Sequence, residues 1–349
     1  MRTPGARSTV RAGVRRLVPA PIRRAAARFA GERRAHDVER ELSAIAAGSR
    51  PIVVGPWLGE VGFELLYWVP FIRWAAERYH LPPERLIAVT RGGAATWYAP
   101  FAVHEVDVLA HIEPDQFRAK NNERNQRVGE QKQLAMSQLD DEILDVVRRT
   151  HGRDVAVLHP SLMYRLFSPY WWGHQPLGWL RRRATYRRLQ PPAIALDLPS
   201  NYTAVKFYFN DCFRSTPENR AFVERTIREL EREGPVISLS TGLAVDDHAP
   251  CEPESAATSG IRHLTSPQTN LLVQSAVVAR ARRFVGTYGG FAYLAPFYGV
   301  PAHSYYTDAQ AFSMRHLDLA QDVLARMPGA GPLVVAPVGP DGPEDVRSR

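Results

Sequence analysis

Glu60 stands between Gly59 and Gly62 in the run GPWLGEVGFELLYW, directly after an apolar stretch that reads as a strand. A carboxylate held in a glycine-flanked loop at the end of a first strand is placed to act as a general base. Glu64 follows one helical turn later, either as an orienting partner for Glu60 or, with it, as a complement to the positive end of a helix dipole. A second run, RFVGTYGGFAYLAPFYGVPAHSYY from Arg283 to Tyr306, reads as strand, glycine turn, helix and strand. Gly289 and Gly290 permit a tight turn and a close ligand approach. Behind them a helix start offers amide N–H groups at Phe291 and Ala292 to an anion. Thr287 and Tyr288 add hydroxyls at the carboxyl end of the strand, where open α/β sheets bind ligands. The competing reading is that the glycines serve strand–helix packing alone. The run contains no GxxxxGK[ST] phosphate loop.

Two cations lie in KFYFNDCFRSTPENR. Lys206 falls inside an apolar strand, where an ammonium needs a partner such as Asp211 or a route to the strand's end. Arg214, in the loop before the next helix, could grip a phosphate with both arms of its guanidinium. Arg91, followed by two glycines, and His159 end further strands and so face a presumed cleft, although His159 also reads as a satisfied, half-buried histidine. Asp246, Asp247 and His248 in STGLAVDDH are adjacent residues without a spaced third ligand, so they suggest a loop against a base or ribose, and no metal site is expected.

These groups are positioned by a repeated alternation of short apolar strands and longer helices, the pattern of parallel sheets with crossover helices. Strands are expected at 51–57, 86–90, 106–110 and 155–159, with helices at 62–79 and 130–150. The alternation restarts at 203–209, followed by a helix over 217–232 that Thr216 caps, strands at 235–241, 261–265, 284–288 and 302–306, and a helix at 270–281. The fold class is therefore α/β, two Rossmann-like domains facing across a cleft. The domains are expected at 51–190 and 191–327. A basic N-terminal arm, helical or disordered, is expected over 1–50, and a flexible tail over 328–349.

The arm holds 12 arginines and four acids, a net of +8 that equals the charge of the whole chain. The body is thus neutral overall, which argues against a nucleic-acid partner. Pro19 and Pro21 should break the arm into two short helical pieces, which suit an anionic membrane surface or else form a disordered leader. No run is long and apolar enough to span a bilayer, and no secretory signal is evident, so the expectation is a cytoplasmic protein, free or peripheral at the inner face of the plasma membrane. Two cysteines, Cys212 and Cys251, make no disulfide framework.

The loops at 55–64, 203–214 and 284–301 resemble those of the metal-independent GT-B glycosyltransferases, especially the heptosyltransferase and fucosyltransferase-like groups. The sequence has Tyr–Gly–Gly where the former carry a short acidic turn, and GEVGFE where the latter carry GGxGNQ. The resemblance implies an enzyme moving a sugar from a nucleotide-sugar donor to a glycan or lipid-linked hydroxyl, inverting and with no cofactor. It implies Glu60 as base, and Lys206 or Arg214 with the Gly289–Gly290 turn at the donor diphosphate. A polysaccharide pyruvyl transferase-like enzyme and a non-catalytic scaffold of a polysaccharide pathway are the alternatives.

Overall fold

The computed structural model describes residues 19–99, 101–128, 132–152, 154–243, 249–250 and 258–338. The stretch 244–248, with Asp246, Asp247 and His248, and residues 1–18 lie outside the described residues.

The first domain opens with helix α1 (Ala20–Ala47). Pro19 and Pro21 do not break it, because Pro19 is the cap and Pro21 lies in the first turn, where a missing N–H costs nothing. Nor is the helix a detached arm. Gly31, Ala35, Val38 and Leu42 are spaced to form one buried stripe. That stripe packs on the later helix α5 (Pro160–Trp171). Arg165 pairs with Glu41 at 2.6 Å, and Arg183 with Glu39 at 2.9 Å.

Strands β1 (Ile52–Val54), β2 (Leu86–Thr90), β3 (His104–Asp107) and β4 (Ala156–Leu158) form a parallel sheet in the order β3-β2-β1-β4. The helix after β1, α2, begins with Val61–Phe63, widens to a π-helical stretch at Glu64–Trp68 and continues as Val69–Arg78. The expected strand at 106–110 starts two residues earlier and ends in a 3₁₀ turn at Val108–Ala110. An unexpected helix, α3 (Pro114–Val128), comes next, and the helix expected at 130–150 is α4 (Gln138–His151), started by a Ser137–Asp140 capping box. Helix α6 (Leu177–Arg181) and an irregular, proline-punctuated stretch then carry the chain across.

The second sheet is built from β5 (Thr203–Lys206), β7 (Val236–Ser238), β9 (Thr258–Gly260), β10 (Arg283–Thr287), β11 (Ala302–Tyr306) and β12 (Leu333–Pro337). Its parallel strands run in the order β12-β11-β10-β5-β7-β9. A two-residue pair, β6 (Tyr208–Phe209) with β8 (Ala249–Pro250), flanks it. Helices α7 (Pro217–Glu233), α8 (Asn270–Arg280), α9 (Gly290–Phe297) and α10 (Met314–Arg326) complete the domain. The expected strand at 261–265 is a 3₁₀ turn, and the pairing falls just before it. The tail is not wholly loose either, since Leu333–Pro337 pairs in register with β11 as an edge strand. Among the described residues no helix is long and apolar enough to cross a membrane.

Close backbone contacts join the domains at two of the places where they meet. Leu271 and Leu272, in the first turn of α8, donate their N–H groups to Gly92 O at 2.6 and 3.0 Å. Gly92 and Gly93 hold left-handed conformations there (φ +63° and +78°), and a Cβ on Gly93 would lie 2.6 Å from that of Leu272. The second contact joins two helix starts: a Cβ on Gly290 would meet Gly62 N at 2.7 Å and Val61 Cβ at 2.9 Å. One apolar core therefore runs through both domains. Gly290→Ala is expected to push the starts of α2 and α9 apart and to cost about 1–3 kcal/mol, the scale of overpacking a tight contact. Thermal unfolding of the variant checks this; an unchanged melting temperature would show that the joint gives without cost.

Candidate functional site

Both sheets follow the doubly wound order, in which the chain reverses direction beside its first strand. Ligands collect at such a reversal, beyond the carboxyl ends of the strands, because the neighbouring loops diverge there and leave a crevice. In the first sheet the reversal lies between β1 and β4, and in the second between β5 and β10. A cavity of about 580 Å³ lies between the domains, lined by the loop after β1, the end of β5, the turn after β10 and the starts of α8 and α9. That volume is typical of a small-molecule site.

The loop after β1 is held from beneath. Gln133 accepts the Leu58 N–H at 2.9 Å and donates to Pro56 O at 2.9 Å and to Asp140 at 3.2 Å. Asn121 donates to Leu58 O at 3.4 Å. The loop delivers Gly59 and an exposed Glu60 to the cavity wall, and the Glu60 side chain does not cap its own helix.

Its neighbours on the list of candidates have other duties. Glu64 is buried in the π-helical stretch, where it accepts from Tyr98 Oη at 2.6 Å and lies 4.0 Å from Arg91. The side chains of Arg91 and Glu64 are 3% and 1% exposed, so the two hold α2 to the β2 loop and do not line the cavity. Burial, with Glu64 alongside, raises the Tyr98 hydroxyl well above its ordinary pKa. His159 is likewise buried: its Nε2 lies 3.3 Å from Asp140, and its Nδ1 accepts the Ser161 N–H that starts α5. Burial alone would raise Asp140, but the His159 and Ser137 hydrogen bonds outweigh it and hold the carboxyl below its usual range. His159 is the satisfied core histidine of the two readings.

On the opposite wall Lys206 reaches out from the end of β5. Its ammonium donates to Gln274 Oε1 and lies 3.8 Å from the centre of the Phe291 ring. Gln274 is fixed in turn by donating to Asn270 Oδ1 at 2.7 Å. Among the described residues its side chain thus meets an amide and a ring face on the cavity wall, and these contacts do not include the proposed pairing with Asp211. Arg214 points elsewhere: its side chain is 68% exposed, it pairs with Asp308 at 3.6 Å, and it does not line the cavity.

The turn after β10 is used more for construction than its sequence suggested. Thr287 is buried, accepting from Tyr208 N and donating to Tyr208 O at 3.1 and 2.9 Å. Gly289 faces the Tyr208 hydroxyl, which a Cβ would strike. The Ala292 N–H, expected to be open to an anion, bonds to Gly289 O at 3.0 Å. Tyr288, Gly289, Gly290 and Phe291 nonetheless line the cavity, and Tyr288, pushed up to about 12 by burial, meets the Tyr293 hydroxyl at 2.5 Å.

Three contributions escaped the sequence. Asn121, Asn122, Arg124 and Asn125, from a helix whose polar text carried no periodic signal, line the first-domain wall. Arg124 is buried and donates to Asn121 at 3.0 Å and Asn125 at 2.8 Å. Asn270 and Gln274 lie inside an expected helix, but only its tertiary placement turns them to Lys206. His316, a lone histidine past the last expected strand, bonds through Nδ1 to Tyr67 Oη at 2.5 Å.

Fold and site together define a GT-B-like protein: two Rossmann-like domains with an interdomain cavity that offers a carboxylate on one wall and an ammonium on the other. No family model and no curated protein matches the chain. Among solved structures it has an outline similarity to the E. coli heptosyltransferase WaaC with ADP, with a TM-score of 0.42 and 11% identity over 83% of this chain and 94% of that one. It is similar to the same degree to the iron-containing dodecameric glycosyltransferase TibC from enterotoxigenic E. coli H10407 (TM-score 0.41, 10% identity, 73% of this chain) and spans 58% of TibC's length. The glycosyltransferase SnogD from Streptomyces nogalater gives a TM-score of 0.37 and 15% identity over 82% of this chain and 86% of its own.

Proposed function

We propose that the chain is a metal-independent, inverting glycosyltransferase that takes a nucleotide-sugar donor and a glycan or lipid-linked acceptor. The observation that carries this reading is the meeting of both sheet reversals at one cavity, with Glu60 on the first-domain wall and Lys206 beside the start of α9 on the second. The donor diphosphate lies against Lys206 and the Gly289–Phe291 turn. Glu60 removes the proton from an acceptor hydroxyl, the freed oxygen bonds to the anomeric carbon, and the bond from that carbon to the diphosphate oxygen breaks. The nucleoside diphosphate carries off the electron pair, and Lys206 stabilises the charge that develops. The exposed, arginine-rich first turns of α1 fit a peripheral position on an anionic membrane at the cytoplasmic face.

Isothermal titration with UDP, ADP and GDP tests the donor half of this reading. At least one is expected to bind wild-type protein, and Lys206→Met is expected to weaken it about 10- to 100-fold, the loss of a charge-assisted hydrogen bond. If none binds, the transferase reading is wrong. If one binds equally well to the variant, Lys206 is not at the diphosphate.

A further inference from the structure

The cavity has two chemically different ends. Near Lys206 and Arg124 it is cationic and amide-rich, whereas the other end is walled by Phe63, Tyr67, Tyr288, Tyr293, Phe312 and His316. Phe63 stands edge-on to His316 at 4.9 Å between ring centres and tilts on Tyr67 at 5.2 Å; Tyr288 and Phe312 meet at 4.6 Å with their planes tilted by 59°. This end adjoins the Glu60 loop and the start of α9, because a Cβ on Gly62 would meet Gly290 Cα at 3.3 Å and the Tyr293 ring at 3.5 Å, and Phe63 is the next residue.

We propose that the aromatic end is the acceptor subsite and takes a carbohydrate ring, an assignment that rests on the transferase reading above. A pyranose has an apolar C–H face and a rim of hydroxyls. The C–H face packs on an aromatic ring, whose face carries the negative part of its quadrupole. The rim needs hydrogen-bond partners, since a hydroxyl buried without one costs as much as the packing gains. His316 supplies that partner. Its Nδ1 is taken by Tyr67, a wholly buried side chain, which fixes the ring and leaves Nε2 with no hydrogen bond among the described residues. Burial first, and nearby Lys132 second, lower His316 to about 4, so the imidazole is neutral near pH 7. A neutral imidazole serves a hydroxyl in either tautomer, as donor or as acceptor.

The test is saturation-transfer NMR on the full chain with the methyl glycosides of glucose, galactose, mannose and N-acetylglucosamine. At least one is expected to receive saturation from wild-type protein. His316→Ala should weaken that binding about five- to tenfold, the loss of one hydrogen bond, with partial recovery in His316→Gln. Phe312→Ala, at a half-exposed ring, should weaken it similarly while leaving nucleotide affinity unchanged. No transfer to any glycoside, or transfer that both alanine variants leave intact, would overturn the assignment. Nucleotide binding without glycoside binding removes this subsite and spares the transferase reading. Glycoside binding that the variants weaken, with no nucleotide bound, keeps the carbohydrate site and sinks the transferase.

Discussion

Glu60→Gln is expected to lower kcat by about 10²- to 10⁴-fold, the usual contribution of a positioned general base, while nucleotide affinity stays as it was. The substitution keeps the side chain's size and its place on the cavity wall and removes the ability to take a proton. Glu60 is exposed and its side chain does not cap α2, so the weakened interaction with the helix dipole costs at most about 1 kcal/mol. Single-turnover sugar transfer with saturating donor is the direct measurement. Turnover within threefold of wild type would show that another group takes the proton, and His316 would be the next to test.

The second large effect is on stability. Arg91→Leu should destabilise the protein by about 3–5 kcal/mol, because it takes a cation from a carboxylate that the core keeps 1% exposed. That is a large share of the 5–15 kcal/mol that typically separates folded from unfolded chains. Joining Glu64→Gln to Arg91→Leu should restore much of the loss, since the buried charge is then gone from both sides and Gln can still accept from Tyr98. Urea unfolding of the two single variants and the double variant completes the cycle. Additive losses would mean that the two groups do not act as a pair. Both single variants should keep the Glu60 loop in place, since Gln133 and Asn121 anchor it from the other side.

Most of the scaffold was legible because its signals are local. Apolar runs such as LIAVT and TAVK became the strands Leu86–Thr90 and Thr203–Lys206. Thr216 with Pro217 started a helix as their side-chain chemistry requires, and Gly289–Gly290 turned a strand into a helix. Failures clustered where a signal is shared or weak. KNNERNQR has no apolar stripe, so its helix was missed, and the Gly- and Pro-rich tail concealed LVVAP, an edge strand with one neighbour. Pro19 and Pro21 read as breakers, yet a proline at a helix start breaks nothing.

The site separates along the same line. Sequence alone determined that Glu60 would leave a strand in a glycine-flanked loop, that Lys206 would stand in an apolar strand and need a partner or an exit, and that a glycine turn would begin a helix, since each follows from a few adjacent residues. Tertiary structure decided which of two carboxylates reaches the cavity, Glu60, and which is locked away with Arg91. It decided that Lys206 and not Arg214 faces the opening, that His159 belongs to the core, and that His316 joins the wall. It also gave Gly290 a partner no local pattern announces, the backbone of Gly62 in the other domain. Those outcomes depend on strand order and on how two domains close on each other, and residues far apart in the chain meet only there.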